Sequence, residues 1–296
     1  MHIPSEMLVG PICPVTAAVA IVGVGTAAAL IVKLKKFAPA AGRFALVSAT
    51  VFGLQMLNYP IFNGISGHLI AGVFAASILG IPAGVLSMAL VLTIQTLLFA
   101  DGGLMMLGAN ILNMAIIGAG VGGLIRQTLI GRNINRDVAT GIAAVASVEL
   151  AVLALSVQLA LSGKATASAM GMLIAVHTVL AVVEGFATVL LVKACTFTSE
   201  KTASRSAYAV LSGLIVACVA AAPFASAFPD AFEWTMERFH LLPNAPAFTH
   251  APLPDYMIGS ISNEFLSAGF AGVIGIAVVM VLAFALALPV ARRTKV

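Results

Sequence analysis

Charge is what this chain has least of. Only 9% of its 296 residues are Asp, Glu, Lys or Arg, against about 25% in an ordinary soluble domain, so a water-facing surface cannot be coated. Its three cysteines, Cys13, Cys195 and Cys218, follow neither a metal-ligand spacing nor a disulfide framework. No basic residue precedes the first apolar run, which argues against a cleaved signal peptide. The one Gly-Lys pair, Gly163-Lys164, is followed by Ala165, so no phosphate-cradling Walker loop exists. The net charge of +4 is mild. Together these features disfavour a nucleic-acid binder, a disordered chain and a disulfide-stapled secreted module.

Apolar sequence fills the space: 61% of residues are hydrophobic and the mean hydropathy is +1.10. A membrane helix needs about 20 mostly apolar residues. Candidate spans fall near 12–32, 43–58, 68–80, 82–99, 104–126, 138–161, 168–194, 206–224 and 265–290, with Gly80-Ile81-Pro82 breaking the 68–99 region. The expected fold is an all-α polytopic membrane protein. Nine helices are interrupted by polar stretches at 195–205 and 225–264. If the amino terminus lies outside and the chain alternates, only Lys164 and Arg238 of the 15 Lys and Arg residues fall outside. Cytoplasmic loops carry such an excess, so the expected carboxyl terminus is cytoplasmic.

The chain opens Met1-His2-Ile3-Pro4. A free amine, the amide of residue 2 and its imidazole can close fused five- and six-membered chelate rings around one divalent ion. Three nitrogens in a plane leave a fourth position, and a square of four suits Ni(II) or Cu(II). A frayed terminus is the plainer reading. The segment Asn58 to His68 lies on the same outer side under this topology, and His68, at a helix start, could supply the fourth nitrogen. It also reads as a polar loop that happens to contain a histidine. Because such ligands must lose protons, binding should weaken in acid.

Charged groups inside a membrane are costly and usually face a bundle interior. Glu149, His177 and Glu184 fall mid-span, and the last two share a helical face. They could orient a ligand histidine, relay protons, or pair with Gln55, Gln95, Asn110 or Asn113 to lock helices together. Gly118 to Gly123 satisfies G-x-G-x-x-G, but within an apolar span close helix packing explains it better than a dinucleotide does. Ala45, Ala49 and Gly53 form a small-residue stripe suited to docking another helix, from this chain or from a partner.

Met1 to Pro4, Asn58 to His68, Phe99-Ala100-Asp101-Gly102-Gly103 and Gly108 to Met114 together resemble one family. It is the metal-recognising membrane component (CbiM/NikM type) of energy-coupling-factor cobalt/nickel transporters. The resemblance covers about residues 1–195 and implies a seven-helix substrate-binding bundle. Its metal would be held by the Met1 amine, the amide and imidazole of His2, and His68. Residues 196–296, with Pro229-Asp230-Ala231-Phe232-Glu233 where the pattern is Pro-Asp-Gly-Leu-Glu, resemble the two-helix accessory subunit (CbiN/NikN type). In that family the outer loop, here 225–264, is thought to act on the metal site, and His240 or His250 could hand over metal. Implied partners are a transmembrane coupling subunit, two cytoplasmic ATPases and the bilayer of the inner membrane. Ni²⁺ or Co²⁺ would be the cargo, nickel slightly ahead, with no organic cofactor and no enzymatic activity in this chain. Two rivals are a stand-alone secondary transporter or channel, for which no internal repeat is visible, and an intramembrane enzyme, for which no H-E-x-x-H signature is present.

Overall fold

The structure is a computed structural model that describes residues 2–34, 38–62, 64–196, 203–243 and 251–293. Met1, Lys35, Lys36, Lys201, Lys295 and His250 lie outside the described residues. The long elements are helices: α1 (Ile12–Lys33), α2 (Ala41–Met56), α3 (Gly72–Leu79) and α4 (Ile81–Phe99). After them, α5 (Leu107–Asn110), a π-helical stretch (Ile111–Val121) and α6 (Gly122–Gly131) run on as one rod, apolar from Leu104 to Gly131. Then come α7 (Arg136–Leu161), α8 (Ala167–Thr196), α9 (Ala203–Ala221), the short α10 (Ala231–Arg238) and α11 (Glu264–Arg293).

Among the described residues, seven helices are long and apolar enough to cross a bilayer. Ile21, Phe186, Leu190 and Leu286 stand well exposed on their outer faces, where lipid rather than water suits them. This is a multi-pass membrane protein.

Two elements depart from expectation. The third span is only the eight residues of α3, about 12 Å of rise against a hydrocarbon core of about 30 Å. The segment ahead of it is a β-hairpin: β1 (Tyr59–Phe62) pairs antiparallel with β2 (Ile65–Gly67). Gly64 turns the hairpin at φ +84°. A Cβ on Gly67 would lie 2.3 Å from Leu180 of α8, so only glycine lets β2 sit this close. β2 and α3 are therefore buried against the bundle, while β1 stays at its surface.

The expected loop at 225–264 also carries structure. Asp230 caps α10, its Oδ1 accepting from the backbone N–H groups of Phe232 and Glu233 at 2.8 and 2.9 Å. Pro254–Tyr256 forms a 3₁₀ turn.

Helix seams follow the small residues. A Cβ on Gly53 would lie 2.9 Å from Cys218, and Ala45 and Ala49 are buried, so the α2 stripe receives α9 and α11 of this chain. The glycine motif is likewise a packing face, since Gly122 meets Val73 and Ser147.

Candidate metal centre

Two imidazoles from distant parts of the chain meet near the carboxyl-terminal end of α4. The rings of His2 and His68 lie 5.2 Å apart, centroid to centroid, tilted by 31°, and both residues are buried. Their neighbours follow from how each segment is held.

His2 sits on an extended segment that the bundle grips by its backbone. Ile3 N–H donates to Asn110 Oδ1 at 2.9 Å, and Gly103 N–H donates to the Ile3 carbonyl at 2.8 Å. A Cβ on Gly103 would fall 2.6 Å from the Ser5 nitrogen, so a side chain there would push the segment away. The Asp101-Gly102-Gly103 and Asn110 motifs are thus a cradle for the start of the chain. The His2 ring reaches Gln95 Oε1 at 3.2 Å through Nε2 and Asp101 Oδ1 at 3.1 Å through Nδ1. Any ion that took Nδ1 would displace the Asp101 contact.

His68 follows β2 directly. Its Nδ1 lies 3.2 Å from the Leu69 carbonyl and its Nε2 3.9 Å from Asp230 Oδ2. The next residues are fixed from two sides. Glu184 of α8 accepts the N–H groups of Ile70 and Ala71, each at 2.8 Å, while Gln55 donates to the Ile70 carbonyl at 2.8 Å. Ala71 is held at φ +59°, a conformation alanine rarely adopts. Glu184 thus orients the histidine-bearing segment, one of the roles open to it from the sequence. Asn113 instead pairs with Gln158 in both directions, a lock between helices. Glu149 stays half-buried on α7.

The 225–264 segment closes over the pair. Ser66 N–H donates to the Pro229 carbonyl at 2.9 Å and its Oγ donates to the Phe228 carbonyl at 2.7 Å. This bridge brings Asp230 to His68, with one carboxylate oxygen capping α10 and the other facing the imidazole. Farther along, the Tyr256 hydroxyl donates to Asp101 Oδ2 at 2.6 Å, and its ring stacks on Phe99 at 4.5 Å. Burial, and then the Asp101 charge, push the Tyr256 phenol well above its ordinary value, so it stays a donor.

Burial dominates the two imidazoles as well. It lowers the His2 pKa against the opposing pull of Asp101, and lowers that of His68 further, with Asp230 opposing. Both rings are therefore neutral at neutral pH, the state a ligand requires. Among the described residues no three His, Cys, Asp or Glu side chains converge as a ready ion site. An ion between the two rings needs further donors. Met1 lies outside the described residues, and His240 follows α10 in a turn at φ +54°.

Reading the sequence singled out His2 and His68, which the fold brings together, but it assigned no role to Asp101, Asp230 or Tyr256. A signal for the first two was present. Both are acidic, in a chain with 11 such residues, and each belongs to a motif that carried the family resemblance. Tyr256 gave none beyond its place in a polar stretch.

Comparison with known proteins gives the family. The cobalt uptake substrate-specific transmembrane region (CbiM) matches residues 2–202, and the PDGLE domain matches residues 205–292. A protein of Archaeoglobus fulgidus, provisionally named fused nickel transport protein NikMN, is 34% identical over 259 residues, 82% of this chain and 84% of its own length. The cobalt transport protein CbiM of Salmonella typhimurium is 43% identical over 96 residues, 32% of this chain and 39% of that one. A crystal structure of a truncated transition metal transporter superposes with a TM-score of 0.57 at 33% identity, covering 65% of this chain and 96% of its own. The chain belongs to the CbiM family of substrate-specific membrane components, here joined to a PDGLE domain.

Proposed function

We propose that this protein captures Ni²⁺ or Co²⁺ outside the cell, as the substrate-specific component of an ATP-driven energy-coupling-factor importer. The observation that carries the reading is the buried approach of His2 and His68, 66 positions apart in sequence, with ring centroids 5.2 Å apart. The Met1 amine and the His2 amide complete the donor set with the two imidazoles. Four nitrogens favour nickel over cobalt on the Irving–Williams order, and the relatives in which both parts are fused carry nickel in their names. Residues 1–195 act as the metal-binding unit and 196–296 as the accessory unit. The amino terminus and the 225–264 segment face outward, and the carboxyl terminus faces the cytoplasm.

Asp101 holds the empty His2 ring in place and accepts its contact back when the ion leaves. Asp230, anchored by the cap of α10, places negative charge beside His68 where a cation arrives. A coupling subunit and two ATPases supply the work of release, since no Walker loop is present in this sequence.

Calorimetry on the purified chain with NiCl₂, CoCl₂ and CuCl₂ in competition tests the reading, together with a variant bearing one extra residue before Met1. Tight nickel binding that the extension abolishes is expected; equal binding by the extended protein would overturn the terminal chelate. Nickel uptake by vesicles that contain this chain alone, without nucleotide, would favour a stand-alone transporter instead.

A further inference from the structure

A further nitrogen donor lies close to the His2–His68 pair, on the far side of His68. His177 of α8 is only 1% exposed. Its Nδ1 lies 2.8 Å from the Leu173 carbonyl one turn back, which fixes the ring and makes Nδ1 the protonated nitrogen. Nε2 is then a lone-pair nitrogen, and it has no hydrogen-bond partner. A buried polar atom left unpaired is costly, and such groups call for an explanation. An imidazole whose far N–H donates to a backbone carbonyl is also the usual form of a metal-ligating histidine.

His177 borders a cavity whose wall also includes His68, Asp230, Glu184 and Val148. Its volume of about 10 Å³ admits one water-sized body. The cavity lies at the level of the His68 segment, since Leu180 packs against Gly67 and Glu184 holds Ile70 and Ala71, both from the same stretch of α8 as His177. His68 touches both places, because it faces His2 on one side and lines this cavity on the other.

We propose that the cavity is a second station for the transported divalent cation, with His177 Nε2 as its new nitrogen donor, Glu184 at its wall, and His68 as the ligand shared with the first site. An ion leaving the terminal chelate keeps His68 while it gains His177, so it is never without an imidazole on its first step away. The proposal rests on the His2–His68 pair being the capture site.

The test uses the whole purified chain with NiCl₂ and CoCl₂ as probes, and the complete transporter for uptake. His177→Ala should leave tight nickel binding within threefold of the parent, while uptake at saturating nickel falls at least tenfold. In a His2→Ala background, weak residual cobalt binding should persist and then fall a further tenfold when His177→Ala is added. His177→Gln, whose amide can still donate to Leu173, guards against misfolding and should give the same split. Unchanged uptake, or residual binding indifferent to residue 177, overturns the station and leaves the cavity holding water only. Loss of tight binding in both His177 variants also overturns it, because His177 would then merely support the first site. Failure of the underlying reading shows separately, as a His2→Ala chain that still binds nickel tightly.

Discussion

Two irregular segments, one at the start of the chain and one ahead of its last helix, arrive at the same place, and they differ in what they bring. Residues 2–5 bring an imidazole, held by backbone hydrogen bonds to Asn110 and Gly103. Residues 226–256 bring oxygen: the Asp230 carboxylate beside His68 and the Tyr256 phenol against Asp101. Nitrogen is the donor that suits nickel and cobalt, whereas oxygen suits harder ions. On the proposed function, the first segment holds the ion and the second tunes and covers the groups that do.

The sharpest way to break that contrast is to remove one group from each side. His2→Ala and His68→Ala should each weaken nickel affinity more than the roughly 10–100-fold that follows loss of an outer-shell partner, read by calorimetry. Asp230→Asn should cost less than either. An Asp230→Asn loss equal to that of His2→Ala would make the 225–264 segment a ligand carrier and erase the difference.

Next in size come the groups that hold the ligands. Asp101→Asn keeps the size of the group but removes the negative charge beside the site. Because the ion displaces its contact with His2 Nδ1, only the attraction to the cation is lost, and nickel affinity should fall about tenfold, the low end for a supporting group. Asn110→Ala leaves Ile3 N–H without a partner in a site where Ile3 is fully buried. That omission costs about 1–3 kcal/mol, about tenfold or more in affinity, because the segment must be re-ordered on binding. Glu184→Gln retains one acceptor for two N–H groups. It should lower the thermal midpoint and weaken nickel binding by a comparable factor, since the turn at Ala71 loses a clamp.

Much of the bundle was legible because a bilayer imposes a simple rule: every backbone polar group must be satisfied within its own segment, so apolar runs become helices. The same rule explains the misses. Residues 58–80 are apolar enough to read as a loop and a span, yet they form a hairpin and eight helical residues. Their backbone groups are satisfied by Glu184, Gln55 and the Pro229 carbonyl instead, contacts between residues more than a hundred positions apart in two cases. No local pattern encodes such partners. The pairing of His2 with His68 could be anticipated only as two nitrogens on one side of the membrane. That Asp230 caps a helix with one oxygen and faces an imidazole with the other depends on the loop's path, which composition does not record.

The smallest expected effect tests the covering role most directly. Tyr256 touches no ligand; it donates to Asp101, which in turn faces His2, and it lies on Phe99 with Phe52 close by. Tyr256→Phe keeps the stacking and deletes one hydrogen bond to a charged group, worth about 1.5–3 kcal/mol at most. Part of that returns, since Asp101 is partly exposed and can take a donor from solvent instead. The net change in nickel affinity should therefore be several-fold rather than a hundredfold. It should appear mainly as faster dissociation in stopped-flow chelator competition, because the ring still excludes water from above while the carboxylate beneath it is freer to move. A change confined to the association rate would place Tyr256 on the entry route and not over the site.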